Sequence, residues 1–350
     1  MPNPLSQQSM SDIKPAISVV IPAYRCADSI AFVIDALLAQ TIPPSKIIVV
    51  NDCSPDNLCD VLATYGNRIT HILNSENLGL SRTYNHGLRA SREEYVLTLH
   101  SDCVLETDYI EKVYSIIAAD PSVGAVTGQY QFRNFGDMEL SDQLFSVLNR
   151  LPIESGYCSK SMHEIAFIEG KADMFRRAEL EEFGYFCENL TLTAEDQDLS
   201  AKYRARGFKL LQHQGARFSV KYNGTQDSLW KVLRKQSSYA RGQAYILLKY
   251  GYHSIKLTTS NRNVRALHRL SQLLCGVFVV LLFASSLLIS WLGFILCLLL
   301  ILRSAYYFKI AQPMRMPLRL WAIPFGLLAD LLYTYGLFDG TVRYYTVKIF

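Results

Sequence analysis

Three acidic positions stand where short apolar runs end or a helical pattern begins. Asp52 closes Ile47-Ile48-Val49-Val50-Asn51-Asp52, and Asp102 closes Tyr95-Val96-Leu97-Thr98-Leu99-His100-Ser101-Asp102. Asp196 lies in Thr193-Ala194-Glu195-Asp196-Gln197-Asp198-Leu199, just ahead of a helical stretch. Short β-branched apolar runs read as buried parallel strands. In open α/β sheets, ligands bind beyond the carboxyl ends of such strands. Carboxylates gathered there can hold a divalent cation, grip a ribose or base, and remove a proton.

The elements that must position them follow in order. Ile17 to Tyr24 reads as a first strand ending at a proline, and Asp28 to Gln40 has helical spacing with Asp28 or Ser29 as its cap. A second strand starts at Lys46, a helix spans Asp56 to Tyr65, and Ile69 to Leu73 is a short strand. A helix over Ser81 to Ser91 then precedes the strand Tyr95 to Leu99. Strands alternating with helices argue for βαβ units, an α/β protein with a mostly parallel sheet. Downstream, the pattern predicts a helix at 109–119 and strands at Val123–Gln131 and Ile168–Arg177. It predicts helices at Leu199–Arg206 and Ser228–Leu248. Residues 132–165 read as a helix with mobile loops. The Ser228–Leu248 helix carries Lys231, Arg234, Lys235 and Arg241, either an ordinary basic face or one laid on anionic lipid.

Six segments in this order resemble the family 2 glycosyltransferases. They are Ser18-Val19-Val20-Ile21-Pro22-Ala23-Tyr24, Ile48 to Asp56, and Asn77 to Gly87. The others are Leu99-His100-Ser101-Asp102, Gly170 to Arg177, and Glu195-Asp196-Gln197-Asp198-Leu199 with Arg206-Gly207. The match covers about residues 16–245. The resemblance implies the GT-A fold, a Rossmann-like sheet flanked by helices. It implies an inverting enzyme that takes a sugar from a nucleotide-diphosphate sugar, with Mg²⁺ or Mn²⁺ as cofactor.

The roles follow residue by residue. Pro22, Ala23 and Tyr24 form the wall of the donor-base pocket, and Asp52 accepts hydrogen bonds from the base or ribose. As a residue type alone, Asp52 also suits a turn or helix cap. Arg82 suits a diphosphate or base because a guanidinium fork matches phosphate oxygens, or it is a surface helix charge. His100 and Ser101 join the donor side. Asp102 is the metal ligand, since Mg²⁺ and Mn²⁺ take oxygen ligands from one or two carboxylates plus substrate phosphates. His100 stands where the family has the first aspartate of DxD. The family's histidine after the acidic helix is missing from Phe218-Ser219-Val220-Lys221-Tyr222, and His213 is displaced. Asp196 is the general base for an acceptor hydroxyl. Glu195 and Asp173 belong to the acceptor side, and Asp198 caps a helix or pairs with a base. On spacing alone, this cluster is also an acidic helix start favoured by the helix dipole. Gln236-Ser237-Ser238-Tyr239-Ala240-Arg241 stands where processive synthases carry QxxRW, without the RW, which favours single sugar addition.

Composition divides the 350 residues. Ser271 to Leu302 has no charged residue, and Leu320 to Phe338 has only Asp330. As one helix the first stretch would be about 48 Å long, more than a bilayer core needs. It is therefore a hairpin broken near Ser290-Trp291-Leu292-Gly293, or a steeply tilted helix. Arg262, Arg265 and Arg269 before it and Arg303, Lys309, Arg315 and Arg319 after it put both flanks on the cytoplasmic side. Met1 to Pro15 is polar and is not a signal peptide, so the large domain should face the cytosol. The eight cysteines show no CxxC pair. A net charge of +4 gives a nucleic-acid role no support.

The expected organisation is a polar tail (1–15), the transferase domain (16–250), a basic linker (251–270) and membrane helices (271–350). The expected setting is the inner or plasma membrane, multi-pass, with a membrane-associated, perhaps lipid-linked, glycan as acceptor. Two other readings stay open. One is a non-catalytic GT-A-like membrane protein that binds nucleotide sugar or scaffolds a partner. The other is a nucleotidyltransferase, which the glycine-free Pro22-Ala23-Tyr24-Arg25-Cys26 disfavours.

Overall fold

The computed structural model describes residues 15–131, 138–149, 162–168, 170–190, 193–221, 228–251, 277, 290–316 and 318–346. Four strands form the parallel half of one sheet: β1 (Ile17–Ala23), β2 (Lys46–Asn51), β3 (Thr70–Leu73) and β4 (Tyr95–Leu99). Their order is β3-β2-β1-β4, with β1 between β2 and β4. Every residue of β1 is buried, which is why its sequence is a continuous apolar run rather than an alternating one.

Helices α1 (Ala27–Leu38), α2 (Leu58–Ala63) and α3 (Leu80–Ala90) connect these strands. The start of α1 differs from the expectation. Its cap residue is Cys26, and the cap is supplied from outside: Asp56 Oδ2 accepts the Ala27 N–H at 3.0 Å. Ser29 instead donates its hydroxyl to the Ser101 carbonyl at 3.1 Å, fastening α1 to the turn after β4.

α3 lies directly on the sheet. A methyl at Gly87 would sit 2.4 Å from Val20 Cγ1 and 2.9 Å from Val50 Cγ2. Gly87→Ala is therefore expected to destabilise the fold by about 1–3 kcal/mol, because the overpacking exceeds the gain in helix propensity. A thermal melt checks this.

The second half of the sheet is mixed. β8 (Ala172–Arg176) runs antiparallel to both β4 and β6 (Val123–Tyr130). β9 (Lys209–Val220) runs parallel to β6 and antiparallel to β5 (Cys103–Leu105) and β7 (Met162–Glu164). Sequence patterning did not predict β9. Its centre, Gln212-His213-Gln214-Gly215, is polar and bulged against Gly128 and Gln129. Around this half lie α4 (Tyr109–Ala119), α5 (Leu140–Asn149), α6 (Arg177–Glu182) and α7 (Glu195–Ala205). Of the stretch read as a helix with loops, residues 132–137 and 150–161 lie outside the described residues.

Three long helices follow among the described residues: α8 (Leu229–Tyr250), α9 (Ser290–Ile310) and α10 (Leu318–Thr346). α9 is described from Ser290, and of the apolar stretch before it only residue 277 is among the described residues, so the part of the expected break ahead of Ser290 lies outside them. Among the described helices, α10 alone is long and apolar enough to cross a membrane. The described residues therefore supply one candidate span and do not support a multi-pass arrangement. One face of α10 is small and buried: Ala322, Gly326, Ala329, Gly336 and Gly340. The opposite face exposes Trp321, Leu328, Tyr335, Phe338, Val342 and Tyr345.

The small face seats two partners. Gly326 receives the Tyr307 ring of α9, and Gly336 and Gly340 lie on the backbone of α8 at Ser237 and Arg241. Asp330 of α10 is locked to α9 by Arg303, with Nε–Oδ2 2.8 Å and Nη2–Oδ1 2.7 Å, and by Tyr307 Oη at 2.6 Å. α8 does not present its bases to lipid as one stripe. Arg241 is paired with Asp339 at 2.7 Å, and Lys235 turns inward.

Candidate active site

The turn after β4 is held by backbone bonds from several elements. The His100 N–H donates to the Lys171 carbonyl at 2.9 Å, and the Lys221 N–H donates to the Asp102 carbonyl at 2.7 Å. This leaves the Asp102 carboxylate half-exposed at the carboxyl end of the parallel strands. Burial lowers the His100 pKa, Lys171 and Lys235 push it the same way, and Asp102 opposes them. His100 is thus a neutral imidazole at neutral pH.

The second acidic group reaches the same end of the sheet by a different route. Ala194 has φ +73°, which turns the chain sharply into α7 and sets Glu195 and Asp196 in its first turn. Asp196 Oδ1 accepts the Gln197 N–H at 2.7 Å, and Ser200 Oγ donates to the Asp196 carbonyl at 2.6 Å. Asp196 lies against Gly170: a Cβ added there would be 3.4 Å from Asp196 Cβ. The residue after Gly170 is Lys171, whose carbonyl holds His100. Buried Tyr84 of α3 links the two groups. Its hydroxyl donates to the Gly170 carbonyl at 3.3 Å. Burial raises its pKa well above the usual range, and Asp173, Cys103, Glu195 and Asp102 all add to the shift. The acids on the β4–β5 turn and at the start of α7 therefore surround one tyrosine.

Other expected site residues take varied positions. Asp173 is 0% exposed on β8, with Thr98 and Thr127 as its register partners. It is fully buried and not on a surface that an acceptor could touch. Asp52 spends its carboxylate on its own chain. Oδ1 accepts from Asn74 Nδ2 and the Leu78 N–H, both at 2.8 Å, and Oδ2 accepts the Gly79 N–H at 2.9 Å. It fixes the loop entering α3 rather than facing open space.

Pro22 and Ala23 are buried and Tyr24 is 41% exposed, with the Arg25 guanidinium 5.4 Å from its ring centre. Arg25 and Cys53 both have positive φ, +51° and +54°, so the turns that follow β1 and β2 are strained. Arg82 is half-exposed on α3, 3.9 Å from Glu188. The Ser101 carbonyl is occupied by Ser29. His213 Nδ1 accepts the Ala216 N–H at 2.9 Å inside the β9 bulge.

Two basic residues at the site were not singled out from sequence. Lys171 follows Gly170 and accepts the His100 N–H through its carbonyl, with its Nζ 5.2 Å from the Tyr130 ring. Lys235 of α8 has its pKa lowered by burial and by Lys171, with Asp102 acting the other way. Lys171 stands inside the strand segment quoted above. Lys235 gave no signal, because a basic residue in an amphipathic pattern reads as surface.

α8 also braces the acidic turn. The Thr193 hydroxyl donates to the Ser238 carbonyl at 2.9 Å, and Gln243 Nε2 donates to Gln197 Oε1 at 2.6 Å. Gly242 lies so close that a Cβ would be 2.6 Å from Thr193 Oγ1 and 2.8 Å from Ala194 Cβ. Asp198, 0% exposed, pairs with Lys249 at 2.7 Å and Lys202 at 3.3 Å.

Glu195 carries a consequence for stability. Burial raises its carboxyl pKa above the unfolded value. The folded state then holds that proton more tightly than the unfolded chain. Stability falls as pH rises from the unfolded pKa through the folded one. Glu195→Gln is expected to raise the melting temperature at neutral pH and to lose this advantage in acid. Melts across pH 4–8 (about the range over which shifted carboxyls titrate) check it.

The donor set for a cation is thin. Among the described residues no group of three His, Cys, Asp or Glu side chains could hold a metal ion. Asp102 offers one hard oxygen ligand, which fits an ion arriving with a diphosphate and not one held by protein alone.

Comparison with known proteins agrees with this geometry. Residues 18–184 match the family described as Glycosyl transferase family 2. Poly-beta-1,6-N-acetyl-D-glucosamine synthase of Staphylococcus aureus (strain MSSA476) is 24% identical over 246 residues, 69% of this chain and 57% of its own length. The Staphylococcus epidermidis protein of the same description is 23% identical over 280 residues, 78% of this chain and 65% of its own. The chain thus spans only about 57–65% of these relatives. Among solved structures, mannosyltransferase PcManGT from Pyrobaculum calidifontis, in complex with GDP-Man and Mn²⁺, aligns with a TM-score of 0.55 at 17% identity. That alignment covers 96% of this chain and 89% of that one. S. aureus TarS 1-349 aligns at 0.50 and 15%, covering 69% of each chain. These structures share the fold, a GT-A-like sheet with flanking helices. Residues 18–184 thus match a family 2 glycosyl transferase domain, and the chain is similar to glycosyltransferases in sequence and to GT-A-like structures in fold.

Proposed function

We propose that the domain moves a sugar from a nucleotide-diphosphate donor to a hydroxyl of a membrane-associated, possibly lipid-linked, glycan with inversion of the anomeric centre. The observation that carries this reading is the convergence of Asp102 with Glu195 and Asp196 around Tyr84. The donor's base lies in the crevice between β1 and β2, against Tyr24, where Asp52 shapes the adjoining loop. Its diphosphate extends to Asp102. Asp102 would hold a divalent ion arriving with the diphosphate, and that ion would supply charge neutralisation for the leaving group. Asp196 takes the acceptor's proton as the oxygen attacks, and holding both reactants in line supplies much of the acceleration. Glu195 orients the acceptor.

The exposed apolar face of α10 supports a membrane setting for the acceptor. Ala240, 0% exposed, stands at the tryptophan position of QxxRW and cannot stack on a sugar, which favours one addition per acceptor.

The test uses the full chain in lipid nanodiscs, UDP-GlcNAc and GDP-Man as separate donors, and a bacterial membrane lipid extract. A product bearing one sugar of inverted configuration is expected. Donor binding without transfer to any extract would instead establish the non-catalytic reading. A long polymer would overturn the single-addition reading.

A further inference from the structure

α10 has the length and apolarity of a membrane crossing, yet its buried side is fastened to the transferase domain. Near its start, Ala322 shares an apolar cluster with Leu144 and Val147 of α5. Ala329 shares another with Phe145 and Leu148 of α5 and with Val232 and Leu233 of α8. Further on, Gly336 and Gly340 lie on the α8 backbone, and Asp339 pairs with Arg241 at 2.7 Å. Tyr344 packs beside Tyr245 and joins the cluster of Ala194, the residue that turns the chain into α7. These contacts run from Ala322 to Tyr344, about 33 Å of helix. A bilayer core is about 30 Å thick, so α10 could cross it only by drawing α5 and α8 through as well. α8 exposes Lys231, Arg234 and Lys249, and it also holds the acidic turn. Basic side chains are costly at that depth, and the sheet behind the turn would have to follow.

The free side of α10 is a single stripe. Trp321, Leu328, Tyr335, Phe338, Val342 and Tyr345 are exposed and recur at steps of three, four or seven residues. Tryptophan and tyrosine favour the boundary between headgroups and acyl chains. α9 also exposes Leu298, Ile301 and Leu302, and the uncharged run from Ser271 to Leu302 extends into it. Lys309 and Arg315, where α9 gives way to α10, are exposed and suit anionic headgroups.

We propose that α10 lies flat in the interfacial layer of a bilayer, its stripe turned into the lipid, and does not cross the membrane. A helix with one apolar face free and the other packed on a polar domain takes that position. The proposal rests on the membrane setting given above and adds the placement of the site. α8 lies between the lipid-seated helix and the acidic turn. Asp196 is thereby held at a fixed height over the membrane, where a lipid-linked acceptor presents its hydroxyl.

Tryptophan depth in vesicles of phosphatidylethanolamine and phosphatidylglycerol tests this on the full chain. Trp230→Phe with Trp291→Phe leaves Trp321 as the sole tryptophan. Adding Trp321→Phe with Tyr335→Trp, or with Tyr345→Trp, moves the probe along the stripe. All three positions are exposed, so the packed face stays intact. Lipids brominated high on the acyl chain should quench the probe strongly and equally at 321, 335 and 345. Lipids brominated at the chain end should quench it weakly at each. Strongest chain-end quenching at 335, or a depth that changes steadily from 321 to 345, would mark a crossing or steeply tilted helix. Either profile would overturn the proposal and leave the membrane setting in place. No quenching by either lipid at any position would overturn both, because the stripe would then face water or protein.

Discussion

Asp196→Asn is expected to cut the transfer rate by about 10²–10⁴-fold while leaving nucleoside-diphosphate affinity unchanged. An amide of the same size keeps the hydrogen bond from the Gln197 N–H to Oδ1, so the first turn of α7 retains its geometry. It cannot accept the proton that an alcohol must shed as it attacks. In the proposed function the donor contacts lie on the β1, β2 and β4 ends and do not involve Asp196. The two readouts therefore separate chemistry from binding. Equal turnover in the variant would remove Asp196 from its role. Glu195→Gln serves as the comparison: with Glu195 in its proposed orienting role, its loss should raise KM more than it lowers kcat.

Gly336→Leu is expected to lower transfer by about 10²-fold from a position with no route to the substrate, because small displacements of reacting groups carry that penalty. A Cβ at Gly336 would be 2.2 Å from the Ser237 carbonyl oxygen and 2.8 Å from its carbonyl carbon. These are backbone atoms inside a helix and cannot turn aside as a side chain could. α10 must therefore move away from α8, taking the Asp339–Arg241 pair and the Tyr344–Tyr245 contact with it. The carbonyl of Ser238, next in the chain, holds Thr193 at the start of the acidic turn. Leu328→Ala, on the exposed face of α10, should leave transfer unchanged in nanodiscs. Proteolysis should cut Gly336→Leu, but not Leu328→Ala, between α9 and α10. Full activity with an undisturbed digestion pattern in Gly336→Leu would refute the coupling.

The sequence disclosed the parallel half of the sheet because burial on both faces leaves an unbroken apolar signature in β1, β2 and β4. It failed at β9, where a bulge and polar residues interrupt the alternation that marks a strand. It pointed to the acidic positions but could not assign their partners. A carboxylate at a strand end serves a ligand or its own loop equally well. Asp52 serves its loop because the Leu78 and Gly79 amides point at it, a fact set by how the chain returns from β3 to α3. Lys235 was misplaced for a related reason. Helical periodicity distinguishes a buried face from an exposed one, but not solvent from a polar cleft.

The position of α8 also bears on how this protein is handled. One of its faces fastens the turn that carries Asp196, and another is roofed by Gly336 and Gly340. A fragment ending at Gly251 would strip that roof and bare Ala240, Ala244 and the Ser237 backbone to water. Detergent-free preparations of such a piece would be enzymologically impaired through loss of a buttress, even where they stay in solution and bind nucleotide. α10 is thus part of the frame that holds the acidic turn, besides being, by length and composition, a candidate membrane span.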